Sequence, residues 1–320
     1  MSLRISTAIA VWNGAGFLTE QLDSILAQSR VPDEIVVCDD GSDDGSWEIL
    51  EEYRRQWPEK FKIYRNQTNY GCTGNFAGAL SLCSGEIIFL ADQDDVWLPG
   101  KVERMLKKFS SPAVLGVYSD SLIVDEKLHP CGTLTHLKLR GFDPQKLPFM
   151  PQLATFCRRV PPAAHDMAIR KEALDFLLPF PELSNVHDSF IGTVIAALDG
   201  WEVVPEALTL FRQHGNNASG SGKKLNWAGQ LQAAKKSIAS NTFLWNAQLY
   251  QAVTVRLQNR ISPRALAMLA ERERHSANRA KMNDCGLLKR FELIARELFT
   301  GRYFRFARGL KSIIQDLFLR

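Results

Sequence analysis

The chain has 320 residues, 45% hydrophobic and 23% charged, a globular mixture that excludes a disordered chain and suffices for one large domain or two ordinary ones. The net charge of +4 is unevenly placed: residues 1–220 hold 20 Lys+Arg against 29 Asp+Glu (net −9), and residues 221–320 hold 19 against 6 (net +13), which predicts two regions with the second facing an anionic surface. Six cysteines without a C-x-x-C pair, no leader pattern after Met1, and no run near the roughly eighteen apolar residues of a membrane span predict a reduced, cytoplasmic protein.

Ile5 to Val11 reads as a buried strand, followed by the turn Trp12-Asn13-Gly14-Ala15-Gly16 and a helix carrying Phe17, Leu18, Leu22, Ile25 and Leu26. The turn holds a G-x-G, but Thr19 stands where a dinucleotide fingerprint needs its third glycine, which argues against a nicotinamide cofactor. After Pro32, Glu34 to Cys38 is a second strand running into Asp39-Asp40-Gly41-Ser42-Asp43-Asp44-Gly45-Ser46. A carboxylate there can accept bonds from a base or ribose, and the same residue types also favour a helix N-cap. Phe61 to Tyr64 is a third strand, and a polar loop leads to a helix with Phe76, Ala79, Leu80 and Leu82.

Ile87 to Ala91 is a fourth strand, and Asp92, Asp94 and Asp95 follow within four positions. Such acids repel one another unless a cation or strong donors sit among them. Ligands bind at the carboxyl ends of strands in open α/β sheets. Asp92-Gln93-Asp94 therefore reads as a divalent metal site, or else as a solvated acidic turn with Asp95 capping the next helix, Lys101 to Phe109. Gly116 to Ser119 and Leu122 to Val124 are further strands. Four alternations of strand and helix predict a mainly parallel sheet with covering helices.

Residues 126–165 are rich in proline, show little periodicity, and carry the basic pairs Lys138/Arg140 and Arg158/Arg159, as a functional or mobile segment does. Met167 to Ile169 reads as a strand and Glu172 to Leu178 as a short helix. His187-Asp188 precedes an apolar helix, Ile191 to Leu198, and strands at Trp201 to Val204 and Ala207 to Phe211 end in Arg212-Gln213-His214-Gly215-Asn216-Asn217. From about Lys223 helix formers dominate. Leu287, Phe291, Ile294 and Leu298 share one helical face, as do Phe306, Leu310, Ile313/Ile314 and Leu317, with Arg302, Arg305, Arg308 and Lys311 opposite. These helices suit packing in a bundle, an anionic lipid surface or a homodimer contact.

Four polar clusters, Asp39/Asp40, Asp92/Asp94, His187/Asp188 and Arg212/His214, are each expected at a strand end. Brought together, they supply acids for a metal, a base and a cation for phosphate. That set suits transfer from a nucleoside-diphosphate donor: the metal neutralises the leaving diphosphate, Arg212 forks onto phosphate, and Asp188 takes a proton from an attacking hydroxyl.

The stretches Val11-Trp12-Asn13-Gly14, Glu34 to Ser46, Asn69-Tyr70-Gly71 with Asn75-Phe76, Ala91 to Trp97, His187-Asp188 and Phe211 to Asn217 resemble, in order and spacing, the family-2 inverting glycosyltransferases, and within them the bacterial rhamnosyltransferase-like branch. The match spans about residues 5–217, two thirds of the chain. It implies a GT-A fold (Rossmann-like, mainly parallel sheet, flanking helices) over 1–220 and a helical C-terminal region over 221–320. It implies that Trp12, Asn13, Asp39, Asp40, Gly71, Asn75 and Asp92 hold the donor nucleotide. Asp92 and Asp94, joined by His214, would hold Mg2+ or Mn2+. Arg212, Gln213, His214 and His187 would meet diphosphate or acceptor, with His187 also suited to orienting Asp188, the general base. Asp95 would order the turn. The implied reaction moves a sugar, rhamnose from dTDP-rhamnose or a hexose from a UDP-sugar, onto a saccharide or lipid-linked saccharide acceptor in cell-surface polysaccharide (O-antigen) synthesis at the inner membrane face, with no nucleic-acid partner. A non-catalytic scaffold binding nucleotide or membrane is the reading of another class. Two departures stand out. Ala163-Ala164-His165-Asp166 replaces the usual glycine-histidine of the acceptor region, and Phe211 replaces the usual tyrosine.

Overall fold

A computed structural model describes residues 3–139, 145–146, 151–158, 162–215 and 241–318. Arg140, Arg159, Asn216, Asn217 and Lys223, singled out in the sequence, lie outside them. In chain order the elements are β1 (Ile5–Val11), α1 (Ala15–Leu26), β2 (Glu34–Asp39), α2 (Ser46–Gln56), β3 (Phe61–Arg65), α3 (Gly71–Leu82), β4 (Ile87–Asp92), β5 (Val96–Trp97), α4 (Lys101–Leu106), β6 (Gly116–Val124) and β7 (Pro130–Thr135). There follow α5 (His136–Leu139), α6 (Gln152–Arg158), β8 (Met167–Arg170), α7 (Leu174–Leu177), α8 (His187–Ala197) and β9 (Trp201–Arg212). The C-terminal helices are α9 (Thr242–Leu257), α10 (Pro263–Lys281), α11 (Leu287–Phe299), α12 (Arg302–Phe306) and α13 (Leu310–Phe318).

The chain divides into two compact units. The first takes the described residues among 1–150, 162–195 and 200–222; the second takes those among 151–161, 196–199 and 223–320. The first unit is built on a sheet in the order β3-β2-β1-β4-β8-β6-β9-β5, with β7 paired to β6. The strands β3, β2, β1 and β4 are all parallel, as strand–helix alternation requires. Beyond them the sheet is mixed: β8 runs antiparallel to β4 and β6, and β6 is parallel to β9. The strands β1, β2 and β4 are buried on both faces, which is why they read as unbroken apolar runs. Ile5, Ile9, Ile35, Val37, Ile87 and Phe89 join Leu18, Leu22 and Ile25 of α1 in one core.

Several boundaries differ from the sequence reading. The two stretches on either side of Ser119–Ser121 form one strand, β6, and the two around Pro205 form one strand, β9. The register between β6 and β9 slips twice near Asp120, so each sequence pattern breaks where the backbone only shifts step. The proline-rich segment contributes β7, α5 and α6 rather than loop alone. His187 and Asp188 do not follow a strand: they open α8, so the expected fourth strand end is a helix N-terminus.

In the second unit, Met282, Leu293, Ile294 and Tyr303 form a small core, with Ile313 and Leu317 packed against it. Around it runs a buried polar network. Glu297 accepts from His275 (2.6 Å), Asn278 (2.7 Å) and Arg302 (3.1 Å), while Asp316 accepts from Arg279 and from the Tyr303 hydroxyl. Arg302 is therefore buried in an ion pair, not part of the exposed basic face its spacing suggested. Among the described residues no helix is long and apolar enough to cross a membrane.

Candidate active site

The registers decide where the acids go. Val11 lies opposite Asp39 across β1 and β2, and Ala10 lies opposite Asp92 across β1 and β4. The carboxyl edge of the parallel strands thus gathers the Trp12-Asn13 turn, Asp39/Asp40 and the D-Q-D loop. Gln93 stitches this edge together: its Oε1 accepts from the Trp12 N–H at 2.8 Å, and its Nε2 donates to the Trp12 carbonyl at 3.0 Å. A Cβ on Gly14 would fall 2.5 Å from Gln93 Cδ, so this approach needs glycine there. The Asn13 N–H donates to Ser42 Oγ and its Oδ1 accepts from the Asp43 N–H, tying the ends of β1 and β2. Trp12 is 57% exposed.

Asp39 and Asp40 part company. The Asp39 carboxylate is fully buried and lies 3.3 Å from Arg65, with Oδ2 accepting from the Ser42 N–H; Oδ1 has no partner. An unpaired buried carboxylate oxygen is a group waiting for a donor. Asp40 spends its oxygens internally on Asn66 (2.8 Å) and on the Tyr70 and Gly71 N–H groups (2.9 and 2.8 Å) at the start of α3. Asn75 donates to the carbonyls of Val11 and Cys38 and accepts from Asn66. The polar atoms of Asp40 and Asn75, both expected at the donor nucleotide, join β1, β2 and α3. Gly71 supplies the φ of +69° that the start of α3 requires.

The D-Q-D acids each meet a histidine. Asp94 Oδ2 lies 2.9 Å from His214 Nε2, and the His214 ring packs on Phe17 with centroids 4.6 Å apart. Asp92 Oδ2 lies 3.1 Å from His165 Nδ1, which is also 3.1 Å from Asp95; His165 Nε2 faces Asp166 at 3.4 Å. Burial alone would lower the His165 pKa, but Asp95, Asp166 and Asp92 hold it well above the usual imidazole value. Burial works to raise the Asp92 pKa, and the His165 hydrogen bond and charge bring it down. Burial and then the neighbouring Asp92 push Asp94 up against the pull of His214.

The expected metal set of Asp92, Asp94 and His214 is not drawn into one tight group. Among the described residues, the His/Asp groups whose ligand atoms lie within 4.8 Å of one another are Asp92/Asp95/His165 and His136/His165/Asp166. His165 is central to both, and the sequence flagged it only as a departure in the acceptor region. Asp95 accepts from the Arg212 N–H at 2.9 Å, which ties its turn to the end of β9. Phe211, where the family usually has tyrosine, packs its ring against both His165 and His136 at 4.8 and 4.9 Å.

Arg212 is 1% exposed, its guanidinium donating to the carbonyls of Asp94 (2.8 Å) and Glu126 (2.5 Å) and pairing with Glu20, over the Phe17 ring. These acceptors enclose the fork, which clamps the D-Q-D loop. The Gln213 N–H continues the clamp by donating to the Val124 carbonyl.

Asp188 arrives from α8. The Val186 N–H donates to Thr73 Oγ1, and the His187 ring stacks on Phe76 at 4.6 Å, so α3 holds the start of α8. His187 Nε2 lies 3.1 Å from Asp188 Oδ1, while Asp188 is one-third exposed. One oxygen of Asp188 thus faces His187. One side chain registers the convergence: the Cys72 thiol, on the first turn of α3, is pushed up by the surrounding chain and then by the charges of Asp92, Asp188, Asp94 and Asp40. The Cys72 Sγ lies 4.0 Å from His187 Nε2, a second link between α3 and the start of α8.

Residues 6–176 match glycosyl transferase family 2, more than half of the chain. The chain belongs to glycosyl transferase family 2. Among curated relatives it is 36% identical over 124 residues to an uncharacterized glycosyltransferase of Nostoc sp. (strain PCC 7120), covering 38% of each chain. It is 30% identical over 178 residues to one of Rickettsia felis, covering 53% of this chain and 29% of that one. The chain spans well under half the length of these relatives. Among solved structures, S. aureus TarS 1-349 in complex with UDP-GlcNAc superposes with a TM-score of 0.61 at 17% identity, covering 98% of this chain and 82% of TarS. A mannosyltransferase from Pyrobaculum calidifontis in complex with GDP-Man and Mn2+ gives 0.51 at 18%, covering 99% and 86%. The family-2 chain therefore has the GT-A fold, with the sheet and site edge described above.

Proposed function

We propose that the chain transfers a sugar from a nucleoside-diphosphate donor to an acceptor hydroxyl with inversion, with Asp188 as general base. The observation that carries this reading is a pair of carboxylates, Asp92 and Asp94, at the carboxyl end of β4, with a one-third exposed Asp188 opening α8, which α3 holds through Thr73 and Phe76. In the reaction, the acceptor O–H gives its proton to the Asp188 oxygen not facing His187. The acceptor oxygen bonds to the anomeric carbon from one side as the carbon–oxygen bond to diphosphate breaks on the other, and that electron pair leaves with the diphosphate. The donor set fits a divalent ion: Asp92 and Asp94 are two carboxylates in repulsion at a partly open strand end. Mg2+ or Mn2+ held there would neutralise charge on the leaving diphosphate. His214, 2.9 Å from Asp94, would steady that carboxylate for the ion. The open oxygen of Asp39 is placed for the donor nucleotide, with Trp12 and Asn13 beside it.

Residues 1–220 carry this chemistry, and 221–320 serve other contacts. The finer reading is rhamnose from dTDP-rhamnose, on the resemblance of the six motif stretches; a UDP-hexose is the second reading, supported by the UDP-GlcNAc bound in the similarly folded TarS. The acceptor is a saccharide or lipid-linked saccharide of cell-surface polysaccharide, met on the cytoplasmic side of the membrane. A thermal-shift panel of nucleotides and nucleotide sugars with Mn2+ tests the donor. Stabilisation by dTDP over UDP supports rhamnose; stabilisation by UDP alone overturns it. No stabilisation by any nucleotide, and no donor hydrolysis, would leave the scaffold reading standing.

A further inference from the structure

The helix α11 is apolar on two sides. At 100° per residue, Leu293, Ile294 and Glu297 form the buried side, facing Met282 and Tyr303. Leu287, Leu298, Phe291, Leu288 and Phe299 fan across the adjacent arc and are exposed, Leu288 by 89% and Phe299 by 91%. The helix α13, which touches α11, repeats the arrangement: Ser312 and Asp316 are buried, while Leu310, Ile314 and Phe318 recur at i, i+4 and i+8 on the solvent side. The stripe read from the sequence at Leu287, Phe291, Ile294 and Leu298 thus straddles the boundary, with only Ile294 in the core. Eight large apolar side chains on two neighbouring helices form more exposed apolar surface than a solvated face carries without a partner.

The charge around these stripes selects the partner. Between residues 281 and 318, Lys281, Lys289, Arg296, Arg305, Arg308 and Lys311 are exposed, against the exposed acids Asp284 and Glu292. The other two acids of this stretch, Glu297 and Asp316, are buried in the polar network. A second copy of the chain would bring these cations against their own kind. A nucleic acid would meet the cations but find leucine and phenylalanine at their centre. An anionic bilayer accepts both, with acyl chains for the apolar arc and headgroup phosphates for the lysines and arginines.

We propose that α11 and α13 form a membrane-docking surface for anionic phospholipid, lying in the headgroup plane with their exposed apolar arcs inserted. The proposal rests on the helical unit alone and stands apart from the sugar-transfer reading. It is tested by flotation of the full chain with phosphatidylglycerol vesicles and with phosphatidylcholine vesicles, at low and high salt, with light scattering for oligomeric state. The chain is expected to float with the anionic vesicles and to be released by salt. Leu288→Glu with Phe299→Glu abolishes flotation at unchanged helical circular dichroism. Reversal of Arg296, Arg308 and Lys311 to Glu weakens partition by roughly 100-fold or more. Equal flotation on neutral vesicles, or no flotation, overturns the proposal. So does a salt-stable dimer that Leu288→Glu with Phe299→Glu dissolves, because the occupant is then a second copy.

Discussion

At the scale of single residues, the site separates side chains that face a ligand from those that hold others in place. Arg212 is of the second kind. Lysine cannot reach the Asp94 and Glu126 carbonyls and Glu20 at once, so Arg212→Lys should lower stability by about 3 kcal/mol in a urea titration. A raised donor KM with unchanged stability would instead restore the phosphate role. His165 shows why such assignments were only partly legible. Asp92 and Asp94 could be read because acids at the end of an apolar run are conspicuous. His165 sits in a segment without periodicity, and two of its carboxylate neighbours, Asp92 and Asp95, come from a strand end and turn about seventy residues earlier. Arg212, Asp40 and Asn75 were legible as belonging to the site and illegible as to role, because burial and partners far apart in sequence decide whether a polar group is free.

At the scale of elements, the carboxyl edge is fixed by stitches between strands. Gln93 joins the D-Q-D loop to β1 through two hydrogen bonds, and Gly14 leaves room for it. Gly14→Ala should displace the Gln93 side chain and lose both bonds. Gly14→Ala and Gln93→Ala are each expected to cost about 1 kcal/mol, with the double variant no worse than either alone; additive losses would show that the two do not act through one contact. At the opposite edge, Glu34 opens β2 and binds Ser6 of β1, Lys62 of β3 and Ser84. Burial alone would raise its pKa, but Lys62, Ser6 and Ser84 hold it at about 2. A depressed folded pKa gives stability that is present above the unfolded value and lost as pH falls towards about 2. Glu34→Gln should therefore cost about 2 kcal/mol at pH 7 and progressively less in acid, read from urea midpoints across pH; a penalty that does not change with pH would contradict this. Strand order along β3-β2-β1-β4 was legible from alternation. The mixed half, β6 to β9, was not, because a register slip looks in sequence like a strand end.

At the scale of the whole molecule, the charge asymmetry of the sequence has a structural counterpart in the second unit. Two of its acids, Glu297 and Asp316, are buried in the polar network, and its exposed cations, which outnumber the exposed acids Asp284 and Glu292 between residues 281 and 318, lie beside apolar arcs. The period of those helices was legible; which side of each turned inward was not, since a helix apolar on two sides offers two stripes. In the first unit, β1, β2 and β4 end at one edge that carries Asp39, Asp92 and Asp94, and Asp188 opens α8. The central claim is that Asp188 removes the acceptor proton. It is tested by transfer kinetics of the full chain and its Asp188→Asn variant, with donor, acceptor and Mn2+ supplied. The account predicts a loss in kcat of about a thousandfold with donor affinity nearly unchanged; near-full turnover by Asp188→Asn would contradict it.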